Sequence, residues 1–493
     1  MKRLLIIISF LPYLGFAQTS KQYLDSANWK SAHKDDKGAI VDFNNAIALN
    51  NENIQAYLNR GNAYSNINEY NKAIDDYTEV INRDSKSILA YYYRANAYSN
   101  ICAFNNAIKD FDQVTELDPH FTMAFFYRGN AKTNLKQYRA ALTDFNRAIA
   151  LGLHNWEIYY AAASAKSNLY DYLGAISDFS RAISLTTSKP ELFEYRGSAR
   201  ANANYYRDAI NDYDKVLTFD SGNADVYYYK ANALSHIEQY KQAIDNFNLA
   251  IESCRTPQKT EMVKKTSPCV VDSGECTFKK VDFYHYRGDA YSNLKNYNKA
   301  IDDYNNAIGL ELKNPVLYAL RGETKAKIND NQGAIADFEK ALQLEPNNAE
   351  VYYYWGNADI ETRDYANAVI HFNKAFELGN RSTDLYHYRA NAKSNSGDFA
   401  GAVSDFNLAI KTSPGDAQLY KYQGVAYSNM GNYTDAIADF KKAIQLDPTD
   451  AGIYFFKANA EGLNNDNTAA LIDYNKSISL DPANAEAFLY RGN

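Results

Sequence analysis

The chain has 493 residues, which excludes a single compact core. Hydrophobic residues make up 46% and charged ones 23%, with 43 tyrosines against 10 prolines and 23 glycines, which excludes a disordered chain. The formal charge of −7 excludes the basic footprint that nucleic acid requires.

At the N-terminus, Lys2 and Arg3 precede an apolar run from Leu4 to Phe16, broken only by Ser9, Pro12 and Gly15. Gly15 and Ala17 place small residues where a signal peptidase inspects them, so residues 1–17 are expected to be a signal peptide cleaved after Ala17. The run is too short for a comfortable membrane span, and no other segment reads as one. Export to a periplasm, an outer surface or the medium is the expectation. No cysteine follows the run, so lipoprotein processing is not indicated.

A 34-residue period then takes over. A small residue recurs at Ala27, Gly61, Ala95, Gly129, Ala163, Gly197 and Ala231, and again at Gly288, Gly322, Gly356, Ala390, Gly424, Ala458 and Gly492. Twelve residues after each of the first thirteen stands an alanine, from Ala39 and Ala73 to Ala470, and four further on an aromatic, from Phe43 and Tyr77 to Tyr474. In the second copy Tyr70, Ala73, Ile74, Tyr77, Val80 and Ile81 form one helical stripe, preceded by a helix marked by Tyr57, Gly61 and Tyr64. Prolines such as Pro119, Pro346, Pro448 and Pro482 close several copies, because proline cannot continue a helix. One such hairpin cannot bury its own stripe, so successive copies must stack. The organisation predicted is seven repeats over residues 18–253, an insertion over 254–281, then repeats 8–13 and the start of a fourteenth over 282–493.

This pattern resembles the tetratricopeptide repeat. Tyr57, Gly61, Tyr64, Ala73 and Tyr77 match the family's positions 4, 8, 11, 20 and 24. The resemblance implies an all-α, right-handed superhelical solenoid of antiparallel helix pairs. Position 7 departs from the family, being arginine in most copies. Position 23 is usually aspartate, so Arg60–Asp76, Arg94–Asp110, Arg128–Asp144, Arg196–Asp212, Arg287–Asp303, Arg321–Asp337 and Arg389–Asp405 are expected to pair across each hairpin. In the tenth copy both members change together, to Trp355 and His371.

The insertion carries Cys254, Cys269 and Cys276 of the four cysteines. In an exported protein a Cys254–Cys276 bond would staple the loop base; Cys254–Cys269 and Cys269–Cys276 are the alternatives. Cys102, in an inter-helix turn far away, is expected to be unpaired. A thiolate–imidazole metal site there lacks the CxxC spacing, so neither metal nor cofactor is expected.

The resemblance also implies that first-helix positions 2, 5, 9, 12 and 13 line a concave face. Asparagine dominates positions 9 and 13, which are i, i+4 neighbours, and tyrosine is frequent at position 5. The candidate ligand-binding residues are therefore Asn62, Asn66, Tyr92, Asn96, Asn100, Asn130, Asn134, Tyr160, Tyr228, Asn232, Asn357, Asn391 and Asn395. Asparagine offers a donor and an acceptor, which suits the backbone of an extended peptide of any sequence. The competing reading makes these asparagines cap and bridge the helices. Acidic residues at position 2, such as Glu191, Asp225 and Glu350, favour neutral or basic partners. No His-Glu-x-x-His, Walker, Gly-x-Ser-x-Gly or dinucleotide motif occurs, so no enzyme is expected. The function expected is an exported scaffold binding proteins or extended peptides. The alternative is the sensory or regulatory arm of a longer signalling or membrane protein.

Overall fold

The computed structural model describes residues 19–254 and 280–492; the expected signal peptide and most of the insertion lie outside them. Among the described residues there are 27 helices and no strand, and within each unit consecutive helices pack antiparallel in chain order. The first repeat is Ser20–Ala32 and Asp36–Leu49, the second Ile54–Asn66 and Tyr70–Arg83, and the thirteenth Ala451–Leu463 and Asn467–Leu480, followed by Ala485–Gly492. No helix among them is long and apolar enough to cross a membrane.

The chain divides into two compact units. The first runs to Ile237; the second comprises Glu238–Cys254 and the residues from Phe278 onward. The division falls between the two helices of repeat 7, one helix (Tyr240–Ser253) earlier than the insertion.

Within a repeat, the alanine at position 20 and the small residue at position 8 let the two helices close. A Cβ built on Gly129 would lie 2.4 Å from the ring of Phe145, which is fully buried, so the ring occupies the space a side chain would need. The same aromatic row, Phe43, Tyr77, Phe111, Phe179 and onward, is the buried spine of each unit. The turn within each hairpin contains one left-handed residue, among them Asn68, Lys136 and Tyr170 with φ of 63°, 58° and 63°. Several second helices begin on aspartate caps; Asp35, Asp171, Asp330 and Asp398 each accept the N–H three residues on. First helices often begin on asparagine, as at Asn53, Asn223 and Asn314.

The seven arginine–aspartate pairs form as expected. Nε donates to Oδ2 at 2.7–3.0 Å in each, and Nη2 donates to Oδ1. The aspartates are buried; Asp144 and Asp405 are each 2% exposed. A third contact was not foreseen. Nη1 reaches the preceding repeat's second helix, sixteen residues back: Asn44 from Arg60, Asp112 from Arg128, Ser180 from Arg196 and Asn305 from Arg321. The guanidinium therefore fixes the register both within a hairpin and between neighbours. In repeat 10, Trp355 stacks on His371 with centroids 4.3 Å apart, and also on Phe338 at 5.1 Å. His371 Nδ1 lies 2.6 Å from Asp359. In six other repeats position 11 carries a cation facing Asp, as Lys132 faces Asp144, so repeat 10 places the carboxylate and the nitrogen base of that contact in exchanged positions.

The cysteine expectation needs correction. Cys254 carries a free thiol, so it does not staple the insertion to Cys276. Cys102, expected unpaired, is disulfide-bonded. Spacing along the chain could not reveal this, because Cys102 sits in the turn of repeat 3, far in sequence from every other cysteine. Cys269 and Cys276 lie outside the described residues.

Candidate first-helix face

Each first helix carries its position-8 small residue against its own hairpin partner, so positions 9 and 13 fall to the side away from that contact. The structure assigns these asparagines definite local jobs. Asn100, Asn134 and Asn395 donate Nδ2 to the carbonyl at position 9 of their own helix, at 3.0, 2.9 and 2.8 Å. The amide plane is thereby fixed by its donor end. Asn66 instead reaches Asp36 of the preceding repeat, at 3.2 Å. Asn62 accepts the hydroxyl of Tyr77 at 2.8 Å, and Asn459 that of Tyr474 at 2.5 Å. Asn357 keeps a buried Oδ1 that no donor reaches. Asn96, Asn130, Asn232 and Asn391 are half-buried along the same row.

The position-5 tyrosines are packed more tightly than lining residues would be. Tyr92 lies among Phe111, Phe121 and Tyr127, with centroids 5.0 to 6.2 Å apart. Tyr160 packs on Phe179 and Tyr195. Tyr228 is only 8% exposed. Burying a ring contributes more than leaving it in solvent, so packing accounts for tyrosine at these positions.

The row is not uniform in charge. In the first unit, repeats 2–4 present Asn62, Asn96 and Asn130 at position 9; in the second, repeats 8 and 9 present Asp289 and Glu323. Tyr304 donates to Asp289 at 2.7 Å, as Tyr77 does to Asn62. Lys327 pairs with Glu323 at 3.2 Å. Burial holds both carboxyls above their usual range, opposed by His285 at Asp289 and by Lys327 at Glu323. In this region the first helix of repeat 10 (Ala349–Glu361) packs chiefly on the first helix of repeat 9 (Pro315–Ala326), rather than on the preceding second helix. Ala319 at position 5 of repeat 9, where others carry a ring, permits that approach. Among the described residues no group of three or more histidine, cysteine or carboxylate side chains could hold a metal.

The comparisons bear on this architecture. Residues 54–87 and 417–450 match one family model described as tetratricopeptide repeat, and residues 281–314, 316–348 and 451–484 match a second of the same description. No curated protein matches the sequence. Among solved structures, the chain is similar to yeast Tom70, with 15% identity over 89% of this chain and 95% of that one, at a TM-score of 0.43. It is similar to a tetratricopeptide repeat protein from Parabacteroides merdae, with 19% identity over 48% of this chain and 94% of that one, at a TM-score of 0.38. It is also similar to YrrB, a TPR protein with an unusual peptide-binding site, with 21% identity over 38% of this chain and 98% of that one, at a TM-score of 0.35. The recognised building unit of this chain, in five segments spread over both units, is the tetratricopeptide repeat.

Proposed function

We propose that the chain is an exported scaffold that holds an extended peptide segment of a partner protein along its first-helix face. The observation that carries this is the fixed amide row. Asn100, Asn134 and Asn395 each donate one amide N–H to their own helix, which fixes the amide plane and orients Oδ1 as an acceptor for a backbone N–H. Pre-orientation lowers the side-chain entropy lost on binding. The acidic stretch at Asp289 and Glu323 favours a neutral or basic segment. Export is supported by the apolar run behind Lys2 and Arg3 and by the disulfide at Cys102, since disulfides persist in oxidising compartments.

The test changes Asn96, Asn100, Asn130 and Asn134 to alanine together and measures binding to an array of 12-residue peptides of varied sequence. Each lost hydrogen bond contributes about 0.5–1.5 kcal/mol, so signals should fall at least about tenfold with helicity unchanged. Unchanged signals would exclude the asparagine row as the binding surface.

A further inference from the structure

The regularity of the first-helix face breaks in repeats 12 and 13, and a cavity opens there. It measures about 450 Å3 and is walled by the rings of Phe440, Phe456 and Tyr490. Three departures from the repeat create it. Position 9 of repeat 12 is Val425, where most copies carry asparagine. Position 13 of repeat 13 is Leu463, again in place of asparagine, and it is 60% exposed. Position 12 of repeat 13 is Gly462, where most copies carry serine or threonine, and a Cβ built there would meet only the Cβ of Ala470, at 4.0 Å. Two polar contacts are thus exchanged for apolar ones, and a side chain is removed between them.

The comparable space between repeats 6 and 7 is smaller, about 260 Å3. Its rim keeps Asn202 and Asn232, and Tyr206 stacks on His236 across it with centroids 4.5 Å apart. A cavity of similar size, about 420 Å3, lies between repeats 9 and 10, but its wall carries Asp359, Asp364 and His371, so the socket is distinguished by its ring-lined, uncharged wall and not by its volume.

One polar group in its wall is orphaned. Ser99 and Thr133, at the position of Ser428, donate to the carbonyl four residues back, both at 3.0 Å. Ser428 lines the cavity with its Oγ buried and bonded to nothing. Asn459, also in the wall, has its Oδ1 occupied by Tyr474. An apolar, ring-lined space with one unsatisfied hydroxyl fits a planar ring that carries its own polar tip.

We propose that this socket takes the side chain of a tyrosine, its ring between Phe440, Phe456 and Leu463 and its hydroxyl on Ser428. As part of a bound peptide this deepens the function proposed above and rests on it, but the socket is testable alone. The probes are N-acetyl-tyrosinamide, N-acetyl-phenylalaninamide and N-acetyl-alaninamide, titrated against the full chain by ligand-observed NMR. Binding is expected for the two aromatic amides and not for alaninamide. Gly462→Leu fills the space without a backbone clash and should weaken both aromatic ligands at least tenfold, with circular dichroism unchanged. Ser428→Ala should weaken tyrosinamide about fivefold and leave phenylalaninamide unaffected. Equal binding of all three amides, no binding of any, or full binding by Gly462→Leu would each overturn the socket. None of these results depends on the peptide array, so failure here and failure of the asparagine row are distinct.

Discussion

Asp439 isolates what the arginine fork does, because repeat 12 has lost it. Gln423 stands in place of arginine and donates instead to Asn407 at 2.9 Å and to the Val403 carbonyl at 3.3 Å. Asp439 is left with a buried Oδ2 that no donor reaches. Burial, with the neighbouring Asp435 charge, pushes its carboxyl up to about 7 from 3.8. A carboxyl raised in the folded state opposes folding when ionised. The penalty is absent below about pH 4, grows as pH rises, and is complete above the folded value near 7. Roughly three units at 1.36 kcal/mol each set a ceiling of about 4 kcal/mol. Asp439 is half-buried, and solvent screening brings the expected penalty to about 1–2 kcal/mol.

Asp439→Asn should therefore stabilise the second unit by about 1–2 kcal/mol at pH 8.5 and have little effect at pH 4. Gln423→Arg should recover a similar amount at pH 8.5 by a different route. In repeat 11, Arg389 spans Asp405 and Asn373, the latter at 3.2 Å; Asp439 and Asn407 occupy the same two places relative to residue 423. The introduced arginine would draw the Asp439 carboxyl down, so its benefit should shrink as acid protonates that group. Urea titrations followed by circular dichroism at both pH values measure these differences from the midpoints, provided the slopes agree. A destabilised Asp439→Asn variant at pH 8.5, or an equal gain at both pH values, would refute the reasoning.

Three further outcomes follow from the same geometry. Arg60→Ala should cost about 3 kcal/mol and Arg128→Ala visibly less in melting or urea experiments, because Lys132 still holds Asp144 at 2.7 Å whereas Asp76 has no second cation among the described residues. Iodoacetamide without reductant should label Cys254 and spare Cys102, as peptide mass mapping can show; a labelled Cys102 contradicts its disulfide. Converting repeat 10 to the common pattern with Trp355→Arg and His371→Asp should destabilise it by about 1–2 kcal/mol, because Asp359 would then face a like charge; adding Asp359→Lys should restore stability, and independence of the three changes would exclude the reversed bridge.

How much was legible in the sequence depended on whether a residue's partner lies at a fixed offset. The helix pairs and the Arg–Asp forks are readable because position 7 meets position 23 of the same hairpin in copy after copy. The inter-repeat arm of the arginine was not read, since its acceptor changes among asparagine, aspartate, serine and threonine while the distance stays at sixteen residues. Tyr92 packs among the rings of the next repeat, Phe121 and Tyr127, and Tyr228 is buried, neither of which position 5 of a single hairpin reveals. The Cys102 bond had no periodic signal at all. The socket had one, in Val425, Gly462 and Leu463, visible as departures from the asparagine pattern, but its volume and its orphaned hydroxyl needed coordinates.

That contrast separates the two halves of each repeat by physical constraint. Positions 8, 20 and 24 are small, alanine and aromatic in every hairpin, while positions 7 and 23 are joined by a fork in seven, and Trp355 with His371 shows both members of the fork changing together. Where the compensation is incomplete, as at Asp439, the structure retains a measurable strain in the form of a raised carboxyl. Positions 9, 12 and 13 answer to fewer internal partners, which lets the chain carry asparagine in repeats 2–4, carboxylates in repeats 8 and 9, and Val425, Gly462 and Leu463 in repeats 12 and 13. Asp289 demonstrates the freedom directly, because it takes the same tyrosine hydroxyl that Asn62 takes, at 2.7 against 2.8 Å, while changing the charge of the face. Variation that leaves internal bonding intact is unconstrained by folding. Within the second unit, the acidic and apolar stretches would present chemically distinct surfaces to the partner segment proposed above.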